Sequence, residues 1–117
     1  CPTKAIEEPF IINSNKCLAY HTLENRDEHL PKNIIEKMGN WIAGCDICQE
    51  VCPWNHKNIS NTSEPDLQPS EWILNITKQD ALSWSDSKWK ENLNKSALKR
   101  IKPWMWRRNI NSIINNQ

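Results

Sequence analysis

Five cysteines stand in 117 residues, and three of them fall in one short run, Cys45-Asp46-Ile47-Cys48-Gln49-Glu50-Val51-Cys52-Pro53. The spacing is C-x2-C-x3-C-P. Two thiolates three positions apart present their sulfurs to one side of a tight turn. A third, followed by proline, ends the turn and leads the chain away. Such runs ligate iron–sulfur clusters, and in proteins with two clusters the last cysteine of the run serves the other cluster. The chain opens on a second ending of this kind, Cys1-Pro2, and Cys17 stands alone between the two.

The simplest accounting is a two-cluster arrangement in which Cys1 closes the first motif and Cys17, Cys45 and Cys48 open the second. Exchange of the closing ligands then gives one [4Fe–4S] cluster held by Cys1, Cys17, Cys45 and Cys48. Cys52 goes to the other cluster, whose three further ligands are expected just upstream of residue 1. Gly44 gives the backbone room to approach a cluster or a flat cofactor closely. Three other chemistries remain open. A disulfide framework suits an even cysteine count and an oxidising compartment. Zinc takes C-x2-C pairs, with His56 as a possible fourth donor. Buried, inert cysteines would have this spacing by chance.

The elements that must position these residues read as α+β, mostly α. A ferredoxin-like two-cluster segment with a short hairpin is followed by a small helical C-terminal region. The expected division is 1–54 for the cluster segment, 55–70 for a linker rich in Asn, Ser, Thr, Pro and Asp, and 71–117 for the helical region. Pro2 to Ile6 suits one helical turn. Glu7 to Ile12 suits a strand that turns at Asn13-Ser14-Asn15, with Pro9 favouring an edge. Cys17–Leu23 suits a short helix. Pro31 opens another, with Ile34, Ile35 and Met38 on one face and Gly39 at its end. Asp46 stands at an N-cap position before Ile47–Val51. Thr77 with Asp80 reads as a capping box. Ser83 or Ser85 starts the next helix, Ser96–Ile101 is a short helical piece, and Pro103 begins the last helix, with Trp104, Ile110, Ile113 and Ile114 apolar.

Composition bounds the function classes. The formal charge of +1 gives no overall attraction to nucleic acid or membrane. No apolar run reaches the ~18 residues of a membrane-spanning helix. Charge is instead local: Lys95, Lys99, Arg100, Lys102, Arg107 and Arg108 are interrupted by no acid, and Trp104 and Trp106 lie among them. Cations contact phosphates and indoles stack on unpaired bases, so Lys99, Arg100, Arg107 and Arg108 are candidate RNA contacts. A solvated helix face is the plain alternative. His21 and His29 read as packing or surface residues, and Glu7, Glu8 and Glu24 as solvated. Trp72, Trp84 and Trp89 read as core.

Longer strings carry a resemblance. Cys1-Pro2-Thr3-Lys4-Ala5-Ile6, Lys16-Cys17-Leu18-Ala19-Tyr20-His21-Thr22-Leu23-Glu24 and Ile42-Ala43-Gly44-Cys45-Asp46-Ile47-Cys48-Gln49-Glu50-Val51-Cys52-Pro53-Trp54-Asn55 are similar to segments of the epoxyqueuosine reductases. Ser96-Ala97-Leu98-Lys99-Arg100 and Arg107-Arg108-Asn109-Ile110 resemble the end of that family more loosely. The resemblance implies an enzyme that reduces epoxyqueuosine to queuosine in tRNA, with cobalamin in an N-terminal domain and two [4Fe–4S] clusters relaying electrons to it. The proton donor would lie upstream, and a chain of this extent alone would be inactive. Ala19, Tyr20, Cys45 and Asp46 would face the cobalamin. Ala19 stands where the family usually has serine, and His21 replaces an apolar residue. The implied partners are the tRNA anticodon region and a low-potential electron donor. The implied setting is cytoplasmic and monomeric, with no membrane. Two alternatives stay open: a reductive dehalogenase-like cobalamin and iron–sulfur oxidoreductase, and a plain ferredoxin-type electron-transfer domain.

Overall fold

A computed structural model describes residues 1–56 and 61–116. Strands β1 (Ile6–Glu8) and β2 (Ile11–Ile12) form an antiparallel hairpin, with Ile6 opposite Ile12 and Glu8 opposite Ile11. Its tip is Pro9-Phe10, and Phe10 takes a left-handed backbone with φ of 66°. This corrects the expected turn at Asn13–Asn15. Those residues belong instead to a 3-10 turn, Ser14–Lys16, begun by Asn13, whose side chain accepts from the Asn15 N–H. An asparagine cap and a polar hairpin turn draw on the same residue types. Pro2 and Thr3 form a turn rather than the helical turn expected over Pro2 to Ile6, and Ile6 already belongs to β1.

Helix α1 (Leu18–Leu23) starts directly after Cys17, which occupies its N-cap. Helix α2 (Lys32–Met38) follows Pro31 and buries Ile34 and Met38. It ends on Gly39, whose φ of 54° and ψ of −119° fit a residue without Cβ. Helix α3 (Ile47–Glu50) is one turn long and carries Cys48. Pro53–Asn55 is a 3-10 turn. Part of the expected linker, residues 57–60, lies outside the described residues. Helix α4 (Glu71–Asn75) follows, then α5 (Lys78–Ser83), whose capping box pairs Thr77 with Asp80. Ser85 caps α6 (Asp86–Leu93) by accepting from the Lys88 N–H. Ser96 caps a 3-10 piece, Ala97–Arg100, and Pro103 opens α7 (Pro103–Ile114).

Two apolar clusters hold these elements. Ala81, Trp89, Leu93, Ile101, Met105, Trp106 and Ile110 form one. Leu18, Leu30, Ile34, Met38 and Ile113 form the other. Helix α7 contributes to both, so it lies between the cysteine-bearing part and the helical end. Trp84 stacks on Trp106 with ring centroids 5.8 Å apart, and Trp72 meets Trp84 edge-on at 5.3 Å. Trp104 departs from expectation: it is exposed, and its neighbour Met105 is buried in its place. Among the described residues no helix is long and apolar enough to cross a membrane.

Candidate iron–sulfur centre

Cys1, Cys17, Cys45 and Cys48 come from three separate stretches of chain, yet all four line one cavity of about 60 Å³. Its remaining walls are Pro2, Ala5, Ile6, Ile12, Leu18 and Ile47. The hairpin supplies one wall. The start of α1 supplies Cys17 and Leu18, and the start of α3 supplies Ile47 and Cys48. The walls are apolar and the donors are soft thiols with no carboxylate among them, a donor set suited to an iron–sulfur cluster. All five cysteines are unpaired, so no disulfide joins them. Among the described residues no three His, Cys, Asp or Glu side chains gather around one metal-ion position. Cys52 is half-buried and does not line the cavity.

Backbone amides point at the sulfurs. The Ala5 N–H donates to Cys1 Sγ at 3.3 Å, and Thr3 Oγ1 is also 3.3 Å from that sulfur. The Cys45 thiol is pushed above its ordinary range by burial, with the nearby Cys48 and Cys17 sulfurs adding to the effect. A hydrogen bond from the Ile47 backbone acts the other way. Crowded thiols that resist ionising when empty ionise readily onto a metal, because the metal's positive charge offsets their repulsion. N–H donors of this kind also tune a cluster's potential.

Gly44 precedes Cys45 with a φ of 77° and open space where a Cβ would lie, so its face is free for close approach. Its N–H donates to Thr22 Oγ1 at 3.0 Å. Asp46 is exposed, and its side chain makes no capping bond. Its backbone carbonyl accepts from the Gln49 and Glu50 N–H groups instead, at 2.8 Å each. Ala19 and Tyr20 are half-buried on α1 and do not line the cysteine cavity.

The basic tail divides. Lys99 and Arg100 are exposed, and Arg100 pairs with Glu24. Arg107 is partly exposed, bonded to the Trp84 carbonyl at 3.0 Å and paired with Asp86. Arg108 is 8% exposed and its donors go to backbone carbonyls of His21, Asn25 and Asp27. These carbonyls and Asn109 Oδ1 take all five of its N–H groups, so its role in this structure is an internal one although it borders the groove beside Trp104. Trp106 is likewise buried, its indole N–H donating to the Ala81 carbonyl at 3.0 Å, so it is no stacking platform. Trp104 does face solvent. It packs on the Arg108 guanidinium at 5.4 Å and borders an open groove of about 710 Å³ with the acidic Glu28 and with His29, Lys32, Arg107 and Arg108.

Sequence reasoning missed Asn109, Thr22 and Asn25, which are buried and polar. The signal was available: positions 105, 109 and 113 fall four residues apart with 106 and 110 beside them, so Asn109 sits on the buried stripe of α7. His21, read as packing or surface, is buried with Nε2 2.8 Å from the Asn15 carbonyl.

Residues 1–55 match the family described as 4Fe-4S double cluster binding domain. An epoxyqueuosine reductase of Prochlorococcus marinus (strain NATL2A) is 81% identical over 97% of this chain and 36% of its own length. A crystal structure of a selenomethionine-labelled epoxyqueuosine reductase is 27% identical, with a TM-score of 0.88 over 99% of this chain and 30% of that one. A second, of an epoxyqueuosine reductase with a tRNA-Tyr epoxyqueuosine-modified tRNA stem loop, is 28% identical with a TM-score of 0.86 over the same shares. The chain spans about a third of the length of the curated relatives it matches.

Proposed function

Because this chain belongs to the epoxyqueuosine reductase family, matching the iron–sulfur portion of its members, we propose that it serves as the electron-relay portion of such an enzyme, which reduces epoxyqueuosine to queuosine in tRNA. Cys1, Cys17, Cys45 and Cys48 hold one [4Fe–4S] cluster, and Cys52 reaches a second. The observation that carries this reading is the convergence of four thiols from three chain segments on one apolar cavity that leaves Cys52 outside. A cluster held there supplies one-electron transfer at low potential. The chain's own residues wall the pocket with the apolar Ile6, Ile12 and Leu18 and direct the Ala5 N–H at Cys1 Sγ. The division at 1–54, 55–70 and 71–117 follows the same reading, with the last part buttressing the first.

Gly44, Cys45 and Asp46, with Ala19 and Tyr20, would hold cobalamin, which would supply the reducing centre. The open Cβ position and the uncommitted Asp46 carboxylate support this. The tRNA runs over Lys99, Arg100 and Arg107, with Trp104 free to stack on a base. The exposed cations and the groove beside Trp104 support this, as does the stem loop in the related structure. The whole protein works as a cytoplasmic monomer fed by a low-potential donor.

The test is anaerobic reconstitution of the full-length protein followed by iron and sulfide counting and electron paramagnetic resonance. Cys45→Ser and Cys52→Ser are each expected to abolish one cluster signal, and not the same one. Loss of the same signal in both variants contradicts the ligand assignment.

A further inference from the structure

Helix α7 carries no cysteine, and none of its residues lines the cysteine cavity. Two adjacent buried polar residues on it nonetheless bind both stretches that lead to the central cysteines. The Asn109 Nδ2 donates to the Thr22 carbonyl and to the Ile42 carbonyl, at 2.9 Å each. Thr22 is on α1, which begins at Cys17. Ile42 is in the loop that delivers Cys45. Thr22 adds a direct link between the same two stretches by accepting the Gly44 N–H on its hydroxyl at 3.0 Å, while that hydroxyl donates to the Leu18 carbonyl at 2.9 Å.

Arg108 sets the direction of the Asn109 amide. Its Nε and Nη2 donate to Asn109 Oδ1 at 3.1 and 2.9 Å, which leaves the amide N–H groups to face the two carbonyls. The other guanidinium donors go to the carbonyls of His21 at 3.0 Å, Asn25 at 2.9 Å and Asp27 at 2.6 Å. All five guanidinium N–H groups and both amide N–H groups are used. The carbonyls of His21 and Thr22 belong to the last turn of α1, where a helix leaves its acceptors unpaired. A buried network satisfied in this way tolerates one arrangement, because any shift strands a buried polar group.

We infer that Arg108 and Asn109, with Thr22, act as positioning residues that fix the placement of Cys17 relative to Cys45 and so preserve the cavity that the four thiols line. Partners bonded directly to metal ligands change metal affinity by about tenfold or more, and the contacts here act one residue further out. The inference rests on the ligand reading above.

The test uses the full-length protein with its clusters reconstituted anaerobically. Chelator-driven iron release is followed by the cluster's visible absorbance, with the two clusters distinguished by their electron paramagnetic resonance signals. Each variant is compared at an equal interval below its own Tm. Asn109→Leu removes the amide at similar volume, Thr22→Val removes the hydroxyl, and Thr22→Ser retains it. Leu93→Ala weakens the core on α6, outside the network. Asn109→Leu and Thr22→Val are expected to lose the cluster that Cys45→Ser abolishes about tenfold faster than wild type, with Thr22→Ser and Leu93→Ala close to wild type. Should Asn109→Leu fail to fold, the Thr22 pair decides alone. Release from Thr22→Val no faster than from Leu93→Ala overturns the positioning role. A Cys45→Ser protein that retains both clusters overturns the ligand reading instead.

Discussion

Around the cysteines, apolar side chains stay open to solvent: Ile12 is 64% exposed, Trp54 is 88% exposed, and Ile6, Ile11, Phe10 and Val51 are also exposed. In the helical end, Leu93, Ile101, Met105 and Ile110 are wholly removed from water. The first region keeps its interior on and beside α1 and α2, in Leu18, Leu30, Ile34 and Met38, and only Ala5 and Leu18 among the apolar cavity walls are buried. The order of the hairpin and of the cavity walls has to come from whatever fills the cavity and from the contacts that α7 makes with α1. The second region is held by burial, by indole stacking and by side-chain caps. A metal centre and an apolar core thus solve the same problem in one small chain. The core holds itself, and the centre depends on a ligand and on its neighbour.

The sharpest way to break this contrast is to remove the iron. Anaerobic chelation of the full-length protein is expected to expose the amides of residues 1–17 to rapid hydrogen exchange while those of 103–114 stay protected. Equal loss of protection in both stretches refutes the contrast.

The next effect is the converse. Met105→Ala deletes a fully buried side chain and is expected to cost about 3 kcal/mol of stability. Denaturant unfolding should show this loss whether the clusters are present or stripped. A smaller loss is expected for Ser85→Ala, about 1 kcal/mol, because it removes the cap of α6. Cluster spectra should not change in that variant.

The acid response sharpens the comparison further. Lys16 and Asn13 hold the Glu7 carboxyl below its ordinary value of 4.5 by hydrogen bonding, tying the hairpin to the turn before Cys17. A depressed carboxyl contributes stability above its unfolded value and loses it as pH falls through the folded one. Amide exchange in residues 6–12 should therefore rise below about pH 4.5 ahead of exchange in α7. The smallest effect is at the exposed cations: Lys99→Ala is expected to reduce the slope of log affinity for tRNA against log salt by about one, with folding unchanged.

How much of this was legible in the residues varies by region, for physical reasons. The Thr77–Asp80 cap, the Pro103 start and the Gly39 stop depend on neighbours in sequence, so local chemistry announces them. The cysteine spacing is local for Cys45 and Cys48, and the hairpin was visible as a strand and turn. Its tip was not, because Phe10 adopts a left-handed backbone that its type disfavours, while Asn13 offers a turn that became a cap. The tail misled for the opposite reason. Arg108 carries a charge that composition assigns to solvent, and only the carbonyls of α1 and the following turn, far away in sequence, explain its burial. Asn109 could have been placed inward from the helical stripe, but its two partners could not.

The most direct measurement is an anaerobic crystal structure of the full-length protein with iron located by anomalous scattering. It should place one group of four irons bonded to the sulfurs of residues 1, 17, 45 and 48, and a separate group bonded to the sulfur of residue 52. Iron groups sharing those ligands differently, or a single metal ion at the site, would contradict the account.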